Sequence, residues 1–287
     1  MRPNFRFDVI DVLTDRNTLR EFFDFCKGIV QDSFRLNLYL VNDTLIIERC
    51  IRSPTKCMGH PGGSPFGHSF EKAVTRLPRG LNDSSSHHRV IQYDFGGLKC
   101  AVCCQVDVSY DDPKSVGKAA GQLPQVAAHD EKMESLVAAF SLMTLNETGT
   151  IRRGAGTDQA SVGWLRIIKG RRSKPRPSWL PWLWWGRTRY LIMGHHDYGT
   201  FDRLQVHDMK EQLEAWEQND INQQVLRKMV LLLSRLRDTL RTNETKTCLV
   251  IYEKAVKPPV LRIHESISGK GPLPPSVVKK FWDTRET

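Results

Sequence analysis

The chain has 287 residues and a formal net charge of +10, from 42 Lys and Arg against 32 Asp and Glu. Its 40% hydrophobic and 26% charged content is ordinary for a globular protein able to bury a real core, and excludes a fibrous or fully disordered chain. No apolar run reaches the roughly 18–20 residues of a bilayer-spanning helix, and the positive excess favours polyanionic partners.

Seven cysteines, an odd number, and no apolar stretch within "MRPNFRFDVIDVLTDR" predict a reducing compartment, nucleus or cytoplasm. "CAVCC" is half of a metal pattern without a second Cys or His pair at zinc spacing, so these cysteines read as small buried hydrophobes.

Thr14 is expected to cap a helix over "DRNTLREFFDFCK", stopped by Gly28. "FRLNLYL" and "TLIIERC" predict a hairpin, and residues 52–67 a Pro/Gly loop. A short helix "HSFEKAVTRL" precedes a second hairpin, "HHRVIQYDF" and "LKCAVCCQVDV", joined by Gly-Gly. Residues 111–129 read as loop and "EKMESLVAAFSLM" as helix. Strand-like "VGWLRIIK" and "RYLIMGHH" flank a basic tract. "HDMKEQLEAWEQNDINQQVLRKMVLLLSRLRDTLR" is the longest helical pattern, bent near "NDIN". Its second half carries Leu226, Met229, Val230, Leu233 and Leu236 on one face. "TCLVIYEKA" and "PVLRIHES" predict a last strand pair, with "GPLPP" leading to a tail. The order predicts one mixed α/β domain over residues 1–287, a central sheet flanked by helices.

Between Gln159 and His196 there is no acidic residue, and residues 169–189 crowd seven basic side chains with four tryptophans. Two readings are open. Arg171, Arg172, Lys174, Arg176, Arg187 and Arg189 could contact RNA or DNA phosphates while Trp faces stack on bases. Alternatively Trp179, Trp182, Trp184 and Trp185 plug the core while the cations stay solvated. "KGRRSKPR" also matches a nuclear-import signal, and "WLPWLWW" could touch a membrane interface, although it is short for an amphipathic helix. His87–His88 and His195–His196 are adjacent on strands and point to opposite faces, a poor arrangement for chelating one ion.

Asp107 ends the apolar strand "LKCAVCCQV", where an unpaired carboxylate is costly and demands a cation, a metal or water. Metal-dependent phosphodiester cleavage places two or three carboxylates around Mg²⁺, with a Lys to position water. The order of Glu71 on a helix, Asp107 on a hairpin and Lys169 on the next strand matches that of PD-(D/E)XK nucleases.

"GHSFEKA", "HHRVIQYDFGGLKCAVCCQVD", "IIKGR", "RTRYLIMGHHDYGTF" and "WEQNDINQQVLRKM" resemble a family of fungal proteins with patterns such as "GxxFEKA", "EIKTR" and "QTPYLIxGYHxxGTF". The resemblance spans residues 5–282. Some of those proteins carry the name geranylgeranyl pyrophosphate synthetase, but the DDxxD motifs of prenyl synthases are missing here; "YDDPKS" is not one. The fungal family in turn resembles the decapping exoribonucleases of DXO type. The resemblance implies a PD-(D/E)XK-like fold and a Mg²⁺ or Mn²⁺ site with Glu71 and Asp107 as metal ligands and Lys169 as a catalytic partner. It also implies losses: the other two carboxylate positions fall on Gln105 and Ile167, and the glutamine of the last motif on Arg187. "DEK" at Asp130–Lys132 spells the missing triplet, but in helical surroundings.

The expected function is therefore nucleic-acid binding on a nuclease-like fold with a degenerate phosphodiesterase or decapping-type centre. If the centre is active, the enzyme is a Mg-dependent hydrolase. The rival expectation is an inactive scaffold that binds a protein partner.

Overall fold

The computed structural model describes residues 5–50, 66–77, 87–110, 158–170, 174–266 and 271–282. Most of the Pro/Gly loop of residues 52–67, the 111–129 loop, the "EKMESLVAAFSLM" helix, Asp130–Lys132, Arg171 and Arg172 lie outside the described residues.

In chain order the elements begin with β1 (Val12–Asp15), α1 (Arg16–Lys27), β2 (Phe34–Val41) and β3 (Thr44–Arg49). Next come α2 (Gly67–Val74), β4 (His87–Phe95), β5 (Leu98–Val106), β6 (Val108–Ser109) and β7 (Val162–Lys169). They are followed by α3 (Leu180–Trp185), β8 (Tyr190–Asp197), β9 (Thr200–Asp208), α4 (Lys210–Gln218) and α5 (Asp220–Thr242). The order closes with β10 (Thr247–Tyr252), β11 (Leu261–Glu265) and α6 (Pro275–Trp282).

The strands form a seven-stranded mixed sheet, β11-β10-β2-β3-β1-β5-β4, and a four-stranded one, β6-β7-β8-β9. β1 runs parallel to both β3 and β5, and β7 parallel to β8. Both expected hairpins form, the second through Gly96 and Gly97 at φ 59° and 88°, the left-handed pair that a two-residue turn requires. The long helical pattern is two helices. Asn219 caps the second by accepting from the amides of Ile221 and Asn222 at 3.1 and 3.2 Å.

Three readings change. The cap of α1 is Asp15, which accepts from the amides of Asn17 and Thr18 at 2.8 and 3.1 Å. Thr14 belongs to β1, a strand too short for its alternation to stand out. Residues 200–208, whose last two, His207 and Asp208, open the expected long helix, are strand β9. The tail is helix α6. Its Trp282 is 2% exposed, stacks on Phe7 at 4.8 Å and donates from Nε1 to Thr44 at 2.9 Å.

Two cores sandwich the large sheet. On one face Leu36, Leu38, Leu45, Ile47, Val102 and Val250 meet Leu19, Phe22 and Phe23 of α1 and Met229, Leu233 and Leu236 of α5. On the other, Tyr39 and Ile46 meet Trp282. The four-stranded sheet has its own core, with Trp164, Ile168, Leu191 and Met193 under Leu183 of α3. Trp184 and Trp185 are buried in the larger core, so the tryptophan run is divided: two rings inside, and Trp179 and Trp182 half-buried between the sheet and α1.

Candidate active site

Asp107 stands where the chain passes from one sheet to the other, after β5 and before β6. β6 pairs only with Val162 and Gly163 of β7, so the amide of Leu165 has no β6 residue to meet. Asp107 serves instead, accepting that N–H on Oδ2 at 3.2 Å. Burial raises its pKa above the ordinary carboxylate range. The Leu165 amide, Arg16 and Arg166 act in the opposite sense, and the charge of Glu71 adds to the rise. The strand-end carboxylate is thus bonded to a backbone amide and lies in the field of two arginines.

Arg16 reaches this point because β1 pairs Asp15 with Cys103 of β5, delivering the first residue of α1 beside the end of that strand. Its Nη2 donates to the Gln105 carbonyl at 3.1 Å, and its guanidinium carbon sits 3.9 Å from the centre of the Trp182 ring. Gly186 leaves the space: a Cβ there would stand 2.8 Å from Arg16 Nη1. Burial lowers the Arg16 pKa, and Cys104, Asp107 and Asp15 offset part of that.

Glu71 is exposed on α2, which is seated on the four-stranded sheet by Phe70. The Phe70 ring occupies the volume a side chain at Gly194 would need, with a Cβ there only 2.3 Å from Cζ, and stacks on Phe201 at 4.5 Å. Gly67 lies over Ile167, so α2 covers the face of β7 that carries Leu165, Ile167 and Lys169. The structure therefore brings Glu71 within electrostatic reach of Asp107. Lys169 shares the α2-facing side of β7, but it is exposed, its Nζ lies 4.8 Å from the centre of the Tyr198 ring, and no ion pair joins it to Asp107.

The opposite face of β7 carries Trp164, Arg166 and Ile168. The Arg166 guanidinium carbon lies 4.0 Å from the centre of the Trp164 ring and 5.9 Å from that of Trp179. Arg20, one turn along α1 from Arg16, lies 6.0 Å from Trp182, and Arg176 lies 5.7 Å from Trp179. Four arginines and three tryptophans thus interleave on one side of Asp107. Burial lowers the Arg166 pKa, Asp107 opposes this, and Arg20, Arg176 and Arg16 add to it.

The other sequence candidates are placed as follows. Lys174 and Arg176 are exposed. Arg187 is held between Tyr93 and Trp184, at 4.4 and 4.3 Å from the ring centres. Arg189 grips Asp208 with Nε and Nη2, at 2.7 Å for the shortest contact. Both rings of the second His pair have structural partners. His195 bonds Gly170 O and Gln205 Oε1 at 2.9 and 2.8 Å, and His196 packs between Phe66 and Phe201.

Of the residues expected to surround a divalent ion, Glu71 and Asp107 supply carboxylates, Gln105 an amide and Ile167 nothing. One Asp107 oxygen is taken by the Leu165 amide, and two guanidinium charges already bear on it. Among the described residues no group of three His, Cys, Asp or Glu side chains is placed to hold an ion. This set does not fit a tightly held catalytic metal. Arg16, Arg20 and Arg166 were missed in the sequence. The signals were present: Arg16 and Arg20 at helical spacing, and Arg166 alternating with Trp164 along a strand.

Comparison with solved structures finds the same fold in Rai1 proteins. Rai1 of Scheffersomyces stipitis, solved with (3′-NADP)+ and a calcium ion, superposes with a TM-score of 0.56 at 14% identity, over 95% of this chain and 73% of that one. Candida albicans Rai1, solved with pU5 and Mn²⁺, gives 0.55 at 11% identity, over 94% and 74%. S. pombe Rai1, solved with 3′-FADP, gives 0.52 at 13% identity, over 90% and 72%. No curated protein matches the sequence. A family model, described as Domain of unknown function (DUF8563), matches residues 1–282, and the protein belongs to that family.

Proposed function

We propose that this protein binds RNA through a nuclease-like fold whose phosphodiesterase centre is degenerate. The observation that carries the reading is the state of Asp107. It is coupled to Glu71 as a nuclease carboxylate would be, yet it is bonded to a backbone amide and flanked by Arg16 and Arg166, with Gln105 and Ile167 at the other expected ligand positions. The pU5 bound in one Rai1 structure supports RNA as the ligand class, and the Mn²⁺ and calcium of the Rai1 structures support weak divalent-ion binding at Glu71 and Asp107.

Lys174 and Arg176, with Arg171 and Arg172, would engage the RNA backbone, and Lys169 would approach a phosphate from the α2 side. Residual hydrolysis would need Glu71, Asp107 and Lys169 together. The test is incubation with 5′-labelled RNA in Mg²⁺ or Mn²⁺ beside Asp107→Ala. RNA retention with no cleavage, or only slow residual cleavage, is expected. Efficient cleavage abolished by Asp107→Ala would show an intact centre, and absence of RNA binding would favour the inactive protein-binding scaffold.

A further inference from the structure

Of the cations on the Trp164 face, Arg16, Arg20 and Arg166 have no part in the RNA contacts above. Arg166 has five N–H donors, and among the described residues its contacts are the faces of Trp164 and Trp179; no acceptor lies within hydrogen-bond distance. Beside it are Arg20, Arg176 and the buried Arg16, close enough that each disfavours its charge. Three carboxylates moderate the cluster: Asp107, already bonded to Leu165; Asp15, which caps α1 and acts on Arg16; and Asp24, which lies 3.6 Å from Arg20 at the surface. A cluster of like charges, part-buried and short of acceptors, is stabilised by an incoming anion. With the Arg166 guanidinium 4.0 Å from the Trp164 ring centre and bonded to no acceptor among the described residues, its N–H donors are free for bidentate contact with phosphate oxygens. Trp179 and Trp182, half-buried, flank the same surface.

We infer that Arg166, Arg20 and Arg176, backed by Arg16, form a metal-independent phosphate-binding site on the Trp164 face of β7, one that holds the backbone of single-stranded RNA. It is separate from the Glu71–Ile167–Lys169 side, where the expected metal would have sat. The inference rests on the RNA-binding reading above, and it replaces divalent-ion bridging with direct arginine contact.

The experiment measures binding of a short single-stranded oligouridylate to the full chain across a salt series, once in EDTA and once in Mn²⁺, together with melting shifts in inorganic phosphate. The site predicts equal affinity in EDTA and Mn²⁺. Arg166→Gln should weaken binding roughly tenfold and reduce the slope of log affinity against log salt by about one. Arg166→Lys should recover part of the loss. Arg262→Gln, which removes an equal charge from the far edge strand β11, should change affinity less than twofold. Unchanged melting curves without ligand certify the fold of each variant. Binding that vanishes in EDTA, or that ignores Arg166→Gln, overturns the site while leaving RNA binding in place. If no RNA binds but phosphate stabilises the parent and not Arg166→Gln, the anion site stands and the RNA reading falls. If phosphate does neither, both fall.

Discussion

Asp107 accepts the backbone N–H of Leu165 at 3.2 Å, a carboxylate standing in for the strand that β6 is too short to provide. That contact needs an oxygen, not a charge, and burial already disfavours the charge. Asp107→Asn should therefore melt at or above the parent temperature at neutral pH. Asp107→Ala, which strands the amide, should cost about 1–3 kcal/mol. The sign follows from the raised carboxyl pKa: the folded state takes up a proton more readily than the unfolded one. The parent thus gains on Asp107→Asn as pH falls. Melting curves of the three proteins from acid to neutral pH test the order; a clear loss in Asp107→Asn at neutral pH would mean the negative charge itself is stabilising.

Glu21 gives a second pH dependence. Burial pushes its carboxyl up to about 7 although Arg49 approaches to 2.7 Å, and Asp15 and Asp24 add to the rise. Because the folded value exceeds the unfolded one, the protonated form favours the fold. That stability is complete below the ordinary carboxylate value near 4.5 and is lost as pH rises through about 7. Glu21→Gln should flatten the slope of melting temperature over that window and be the more stable protein above it. An unchanged slope would remove Glu21 as its source.

The seating of α2 predicts a coupled pair. Gly194→Ala would drive a methyl into the Phe70 ring, at 2.3 Å before relaxation. The expected cost is about 1–3 kcal/mol of overpacking. Adding Phe70→Leu should return part of it, so the double variant loses less than the sum of the singles. Strict additivity in thermal or urea unfolding would show that the two positions do not press on one another.

How much of this was legible in the sequence depended on whether the signal was local. Gly96-Gly97, the Leu226–Leu236 stripe and the alternation in "VGWLRIIK" are set by neighbours in the chain, and each produced the expected element. Glu71 and Asp107 were located by the order of motifs, and they do lie within electrostatic reach. Trp282 escaped because its burial depends on Phe7 and Thr44 at the other end of the chain. The arginines escaped for the same reason. Arg16 and Arg166 are 150 residues apart and meet only because β1 pairs with β5 while Asp107 ties β5 to β7. Within the basic tract, Arg187 is wedged between aromatic rings and Arg189 is paired with Asp208, each held by a contact no composition argument could foresee.

Trp282 is the test of whether the C-terminal helix belongs to the core. Trp282→Ala removes a 2%-exposed indole and should cost about 3–5 kcal/mol. Trp282→Phe keeps most of the packing on Phe7 and loses the hydrogen bond to Thr44, a loss of about 1 kcal/mol. Chemical denaturation reads both, and a small effect of the alanine variant would mean that α6 adds little to the fold.

The ligand count can be tested by restoring it. Ile167 lies on the α2-facing side of β7, beneath Gly67, whose added Cβ would meet its Cδ1 at 3.7 Å. A glutamate there would join Glu71 and Asp107 as a third carboxylate. Without metal, three like charges should destabilise Ile167→Glu relative to the parent and raise the Asp107 carboxyl further, since Glu71 alone already does so. With Mn²⁺, the variant should gain a concentration-dependent rise in melting temperature, because an ion that binds only the folded state stabilises it in proportion to the logarithm of its excess over Kd. The parent, with two carboxylates and Arg16 and Arg166 beside them, should show little shift over the same series. A parent that responds as strongly as Ile167→Glu would mean that two carboxylates suffice here, and the proposal of a degenerate centre would have to be given up.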